Sequence, residues 1–185
     1  SSMVLTLVRD AGINIQSIRR AIISSVVPDL IGAFVTVAQR LCKEKPYVLS
    51  SALAYSGVLP VRLPQNTSHE LGTDLLCNAV GAWNLFGSAN IVVDFGTALT
   101  LTITPGLRTA IYALATNTAQ LPIVPLEAPP SALGSTTKEA MQAGVVLGYK
   151  GLVEYLVKQV KVDLEKLTGD KVSDTKVVAT GGLNS

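Results

Sequence analysis

Apolar runs and helical stripes alternate along this chain, which is the pattern of an α/β protein. Short runs of branched apolar residues predict buried strands at 21–27, 46–49, 91–94, 98–103 and 176–179. Apolar residues at helical spacing predict helices at 29–44, 68–86, 107–118 and 136–168, the last of them broken into two. Gly87 and Gly169 are the expected helix terminators, and four prolines make 121–131 an extended loop. We therefore expect a mixed or parallel sheet flanked by helices.

One predicted strand runs directly into a carboxylate, a glycine and a hydroxyl. The run from Ile91 to Val93 is followed by Asp94, Phe95, Gly96 and Thr97. A charged group at the end of an apolar run is usually paired or binds a cation. The amides and the hydroxyl of such a turn could also hold phosphate. The alternative is that Asp94 only caps the turn, and the spacing alone does not decide between the two.

A second predicted strand ends in Thr180-Gly181-Gly182. Glycines let a ligand approach the backbone closely, and ligands of open α/β sheets bind outside the carboxyl ends of the strands. Both glycine turns therefore stand where a nucleotide is expected. The sequence contains neither GxxxxGK[ST] nor GxGxxG, which excludes a P-loop and argues against the usual dinucleotide site.

Two predicted helix starts carry further candidate residues. Asp74, in the segment 70–75, could act as a general base, although an acid in a first helical turn also simply favours the helix dipole. The hydroxyl-rich segment 134–139 could present donors to a polar substrate, although a capping box of Ser or Thr with Glu139 explains it equally well.

Composition narrows the class of protein. Of the 185 residues 48% are hydrophobic and only 15% are charged, against roughly a quarter in an average soluble domain, so we expect an oligomer. The net charge of +2 comes from scattered residues, which argues against nucleic acid as a partner. Cys42 and Cys77 are expected to be reduced core thiols, and His69 is the only histidine. Asn66-Thr67-Ser68 matches a glycosylation acceptor, but no signal peptide or long apolar span accompanies it, so we expect a cytoplasmic protein and no membrane partner.

Taken together, these strings resemble the type III pantothenate kinase family. The matching segments cover most of the chain in the order of the family: Ile22 to Pro28, Glu70 to Asp74 with Asn78-Ala79-Val80, Val92 to Ala98, Thr104 to Leu107, Ala119 to Pro122, Gly134 to Gly144, and Ala179 to Leu183.

The resemblance implies a fold, a reaction and a set of site residues. The fold is the duplicated actin-like ATPase (ribonuclease H-like) fold, with 1–88 as the remainder of the first domain and 89–185 as the second. The reaction is ATP-dependent phosphorylation of the 4′-hydroxyl of pantothenate, the first step of coenzyme A biosynthesis, by a homodimer that uses magnesium with ATP and a monovalent cation (potassium or ammonium). The implied roles are Asp74 as catalytic base, Gly72, Thr73, Asp74, Leu75 and Thr137 at pantothenate, Gly96, Thr97, Gly181 and Gly182 at ATP, and Asp94 as ligand of the cation.

The sequence departs from the family pattern in four places. The family motif Gly-x-Asp-Arg ends here in Leu75, which removes a guanidinium able to bind a carboxylate in two-pronged fashion. The N-terminal Asp-x-Gly-Asn-Thr turn and a hairpin expected near Thr102 are both absent, and so is a C-terminal tail. Leu75 keeps two alternatives open: a catalytically impaired or regulatory relative, and an actin-like-fold kinase for another small hydroxyl substrate.

Overall fold

The computed structural model describes residues 2–42, 44–50, 52–53, 59, 71–101, 103–169 and 171–182. The chain divides into two compact units, Ser1–Asn84 and Leu85–Ser185. Both units contain strands and helices, and the second unit contains a mixed sheet, so the predicted α/β class is confirmed. None of the helices in the described ranges is long and apolar enough to cross a membrane.

Within its described residues, the first unit contains a two-stranded parallel sheet and three α-helices. Its helices are α1 (Ser2–Asp10), α2 (Pro28–Cys42) and α3 (Thr73–Phe86), the last of which runs past the unit boundary. Strand β1 (Ile22–Ile23) pairs in parallel with β2 (Tyr47–Val48). A short 3-10 turn, Ile15–Ser17, lies between α1 and β1.

The second unit is built on a four-stranded sheet in the order β5-β4-β3-β6. Its strands are β3 (Asn90–Phe95), β4 (Ala98–Thr100), β5 (Ile103–Pro105) and β6 (Lys176–Thr180). Strand β3 runs antiparallel to β4 and parallel to β6, and β4 runs antiparallel to β5. Helix α4 (Leu107–Thr116) follows the last hairpin strand, and α5 (Thr137–Gln142) and α6 (Gly148–Thr168) precede the 3-10 turn Val172–Asp174 and β6.

The core of the second unit lies between the sheet and α6. Ile91, Val93 and Leu99 are at most 4% exposed. The alternation along β3 turns one face toward the helix, as period-two patterning requires. The α6 side chains on this core are the stripe that the sequence predicts, including Leu152, Val153, Val157, Val160 and Leu164. The helix ends at Gly169, which caps it in the left-handed conformation.

Several predicted boundaries were wrong. The run 21–27 forms only the two-residue strand β1, and Pro28 begins α2 because proline is well suited to a first helical turn. Helix α3 begins at Thr73, and the predicted start at 68–70 lies outside the described residues. The loop predicted over 50–68 falls almost entirely there too, together with Asn66-Thr67-Ser68 and His69.

The helix predicted to be broken between 136 and 168 continues without interruption. A π-helical segment, Ala143–Leu147, joins α5 to α6, and the residues at both junctions have right-handed helical dihedral angles. A π turn contains one residue more than an α turn, so the apolar positions before and after it do not follow one common helical period. Gln142 at this junction donates from Nε2 to the Pro125 carbonyl oxygen at 2.9 Å and so anchors the extended loop.

Burial also differs from the sequence prediction at some positions. Cys42 is buried, but Cys77 is exposed, so only one of the two free thiols belongs to the core. In α2, Leu30 and Phe34 of the predicted stripe are 48% and 44% exposed, and the buried side is formed by Val37, Ala38 and Cys42.

Candidate functional site

The two glycine turns leave the same edge of the sheet in the second unit. Strands β3 and β6 are parallel neighbours, and Asp94 is paired in register with Thr180. The residues that follow each strand, Gly96 and Gly181, therefore lie at the carboxyl edge, where α/β proteins bind ligands. The sequence predicted that each turn follows a strand, and the structure adds that the two strands are neighbours.

Gly181 brings the two turns into close contact. Its φ of +102° is a conformation that residues with a side chain rarely adopt. A Cβ atom at this position would lie 2.5 Å from the Phe95 carbonyl oxygen and 2.6 Å from Asp94 Oδ1. The Asp94 carboxylate oxygen and the Phe95 carbonyl oxygen thus both lie where a side chain on residue 181 would begin. The Cβ position of Gly182 is open, so this second glycine is not needed for the close approach.

The Thr97 end of the first turn is held by the start of α4. The Thr97 carbonyl oxygen accepts hydrogen bonds from the Gly106 amide and from Thr109 Oγ1, both at 2.9 Å. A Cβ on Gly106 would come within 2.7 Å of the same oxygen, so α4 approaches as closely as its backbone permits. Sequence reasoning did not assign Thr109 and Gly106 to the site. The Pro105-Gly106 pair before a helix was the only local signal.

This arrangement suits a phosphate ligand accompanied by cations. Hard cations take oxygen ligands, and Mg²⁺ usually keeps several waters and binds through one or two carboxylates and the phosphates of its substrate. In the described part of the chain no three His, Cys, Asp or Glu side chains form a metal-binding group. Asp94 Oδ1 and the Phe95 carbonyl oxygen are two oxygen atoms of the kind that such a cation takes as ligands.

The first unit carries the other candidate group, at the start of α3. Ser24 directly follows β1, and its Oγ donates to Thr73 Oγ1 at 3.0 Å. Asp74 is the next residue and is exposed, while Leu75 is half-buried. The Asp74 carboxylate lies over Gly72, because a Cβ on Gly72 would overlap Asp74 Oδ1. The structure thus places Gly72, Thr73, Asp74 and Leu75 where β1 ends and α3 begins.

The segment 134–139 forms the capping box that the sequence offered as an alternative. Thr136 Oγ1 accepts from the Glu139 amide at 3.2 Å, and Glu139 Oε2 accepts from the Ser135 amide at 2.8 Å and the Ser135 hydroxyl at 2.5 Å. The hydrogen bonds from Ser135 and Thr136 hold the pKa of Glu139 below its ordinary value, and the bond from the Ser135 hydroxyl has the largest effect. Thr137 is exposed in the first turn of α5, and its role at pantothenate stays a prediction.

The fold and these turns together define an α/β protein with glycine turns at the carboxyl edge of its central strands. A model of the family "Type III pantothenate kinase" matches residues 1–159. The chain is 41% identical to the type III pantothenate kinase of Treponema pallidum (strain Nichols), an alignment that covers 100% of this chain and 68% of that protein. The corresponding enzyme of Thermomicrobium roseum is 36% identical over 96% of this chain and 69% of its own length. That of Dehalococcoides mccartyi (strain ATCC BAA-2266) is 37% identical over 98% and 71%.

The chain belongs to the type III pantothenate kinase family. The resemblance inferred from its motifs is thereby confirmed, and with it the assignment to the kinases among the phosphotransferases.

Proposed function

We propose that this protein transfers the γ-phosphoryl group of ATP to the 4′-hydroxyl of pantothenate. The observation that carries the proposal is the convergence of the Asp94 carboxylate and the Phe95 carbonyl at Gly181, on the carboxyl edge of two parallel strands. Membership of the family supports the same reaction over the alternative of a kinase for another hydroxyl substrate. Bound ATP supplies the phosphoryl group, and the protein supplies positioning, charge neutralisation and a base.

The residues of the second unit would hold the nucleotide. The backbone of Gly96, Gly181 and Gly182 can approach phosphate oxygens closely, since glycine presents no side chain there, and Thr97 would add its amide and hydroxyl. Asp94 would be a ligand of the monovalent cation, potassium or ammonium, and magnesium would accompany the phosphates. Each cation would reduce the repulsion between the negatively charged phosphates and the Asp94 carboxylate.

The residues of the first unit would bind pantothenate and take its proton. Asp74 would accept the proton of the attacking hydroxyl, because its carboxylate is exposed in the first turn of α3. Gly72, Thr73 and Leu75 would line the same substrate. The role of Thr137, which lies in the second unit, is carried over from the family resemblance. The duplicated actin-like fold, the homodimer and a cytoplasmic location stay proposals of the family resemblance, and the β5-β4-β3-β6 order with one parallel pair supports the first of them.

Leu75 favours one alternative, a catalytically impaired relative. The family motif has arginine at this position, and a leucine cannot pair with the carboxylate of pantothenate. A low affinity for pantothenate with normal ATP binding would be the consequence.

One experiment separates these functions. The purified protein is given ATP, magnesium and potassium with and without pantothenate, and ADP release is followed. Pantothenate-dependent ADP release is the expected result, and Asp74→Asn should abolish it while the thermal midpoint is retained. ADP release that does not depend on pantothenate, or that is unchanged in Asp74→Asn, would contradict the substrate or the base respectively.

A further inference from the structure

The start of α3 is tied to the end of β1 by two hydroxyl groups far apart in the sequence. Ser24 Oγ donates to Thr73 Oγ1 at 3.0 Å, across 49 positions of the chain. Thr73 Oγ1 in turn donates to the Ser25 carbonyl oxygen at 3.4 Å. Each hydroxyl has one proton to donate, so these two bonds define one direction, from Ser24 through Thr73 to the backbone of Ser25.

The burial of Thr73 makes the hydrogen bond from Ser24 important. Thr73 is 8% exposed, so water has little access to replace Ser24 as the donor to its hydroxyl oxygen, and a buried polar atom that loses a hydrogen bond costs free energy. Ser24 itself is exposed, so its hydroxyl is not needed to fill the core. Its effect in the folded protein is to satisfy and orient Thr73.

The backbone position of Asp74 depends on that of Thr73. The two residues are adjacent, and Thr73 is the first residue of α3. The Asp74 carboxylate is exposed, so its position depends on the backbone that carries it. Gly72 allows that carboxylate to lie over the turn, because any Cβ at position 72 would overlap Asp74 Oδ1.

We propose that Ser24 is a positioning residue for Asp74, acting through the hydroxyl of Thr73. The Ser24–Thr73–Ser25 chain holds the first turn of α3 against the carboxyl end of β1 and so sets the distance between Asp74 and the hydroxyl it deprotonates. This inference rests on the proposed function, because it takes Asp74 to be the base. A small shift of a catalytic group reduces turnover more than it reduces ground-state binding.

Ser25 provides a matched control. Its side chain belongs to a local turn, where the hydroxyl donates to the Val27 carbonyl and accepts from the Val27 amide, both at 3.1 Å. The carbonyl of residue 25, which Thr73 uses, remains in Ser25→Ala. The two alanine variants therefore remove the same atom from neighbouring serines, and only one of them breaks the chain to Thr73.

The test compares Ser24→Ala, Ser24→Thr and Ser25→Ala with the unchanged protein. We expect Ser24→Ala to lower kcat for pantothenate-dependent ADP release about three- to tenfold, the range of one neutral hydrogen bond, with the KM for ATP unchanged. The lost hydrogen bond should also lower the thermal midpoint by roughly 1–6 °C. Ser24→Thr keeps the hydroxyl and should restore kcat, and Ser25→Ala should retain it. Equal losses of kcat in both alanine variants, or no recovery in Ser24→Thr, would overturn the inference.

Amide hydrogen exchange over residues 73–76 gives a readout that does not depend on turnover. Ser24→Ala should accelerate exchange there, whereas Ser25→Ala should not. Unchanged exchange in Ser24→Ala would refute the anchoring. If Ser24→Ala accelerates exchange but the unchanged protein shows no pantothenate-dependent ADP release, the proposed function is refuted. Ser24 would then anchor α3 without any part in catalysis.

Discussion

Replacing Gly181 by alanine tests the geometry of the nucleotide edge most directly. The substitution adds one methyl group at a residue whose φ is +102° and whose Cβ direction points at β3. The added atom would lie 2.5 Å from the Phe95 carbonyl oxygen and 2.6 Å from Asp94 Oδ1. Both obstacles belong to the site: one is backbone, and the other is the carboxylate that we assign to the cation.

Two costs follow from this geometry. A residue with a side chain held in a sparsely populated backbone region costs about 1–3 kcal/mol. Forcing an extra carbon into a packed position costs about another 1–3 kcal/mol, because the end of β3 must move away. The sum is about 2–6 kcal/mol of unfolding free energy, which corresponds to a fall of roughly 4–24 °C in the thermal midpoint for a chain of this size.

The assay is thermal unfolding followed by circular dichroism, with ATP binding measured by calorimetry below the midpoint. Gly181→Ala should lower both the midpoint and the affinity for ATP, since any relief of the clash displaces Phe95 or Asp94. Gly151→Ala is the control, because Gly151 lies in α6 with open space around its Cβ and should gain about 0.5–1 kcal/mol in stability. A midpoint and an ATP affinity for Gly181→Ala equal to those of the unchanged protein would refute the close approach of the two turns.

Three other changes test other parts of the site. Leu75→Arg should lower the KM for pantothenate about tenfold or more, because a charged hydrogen bond is worth about 1.5–3 kcal/mol, and an unchanged KM would show that this position does not reach the carboxylate. Thr109→Val removes one of two donors to the Thr97 carbonyl, so the KM for ATP should rise about two- to tenfold, whereas Thr116→Val in the last turn of α4 should not change it. The hydrogen bonds from Ser135 lower the pKa of Glu139, so its carboxylate stabilises the fold above the ordinary pKa and loses this effect as the pH falls through the lowered value. Thermal midpoints measured from about pH 5 down to about pH 3 should therefore fall less steeply in Glu139→Gln than in the unchanged protein, and identical slopes would contradict that assignment.

Local patterns in the sequence were sufficient for most of the second unit. The apolar run 91–93 and the stripe from Tyr149 to Leu164 both describe a surface that must be buried, and the structure packs these two surfaces against each other. The helix terminators at Gly87 and Gly169 were also local signals, since both adopt positive φ. These features depend on neighbouring residues alone, which is why periodicity and turn chemistry predict them.

The errors occurred where tertiary context outweighed local preference. Leu30 and Phe34 satisfy a helical stripe but remain exposed, because burial depends on which side of α2 meets the rest of the unit. One continuous helix packs against two apolar clusters, before and after the π segment at Ala143–Leu147. Because the apolar positions of the two parts do not share one regular helical period, the sequence pattern predicted a break. Cys77 lies within a predicted helix as expected, yet its side chain is exposed.

The sequence by itself determined the kinds of residue available for the reaction: a carboxylate after an apolar strand, two glycine turns, and an acid at a helix start. It also determined the family, since motifs in a fixed order need no coordinates to be recognised. Only the tertiary structure decided that β3 and β6 are parallel neighbours, that Gly181 lies against Phe95 and Asp94, and that Ser24 bonds to Thr73. The physical reason is that these contacts join residues tens of positions apart, whose proximity is set by the packing of whole strands and helices and leaves no periodic trace in the chain.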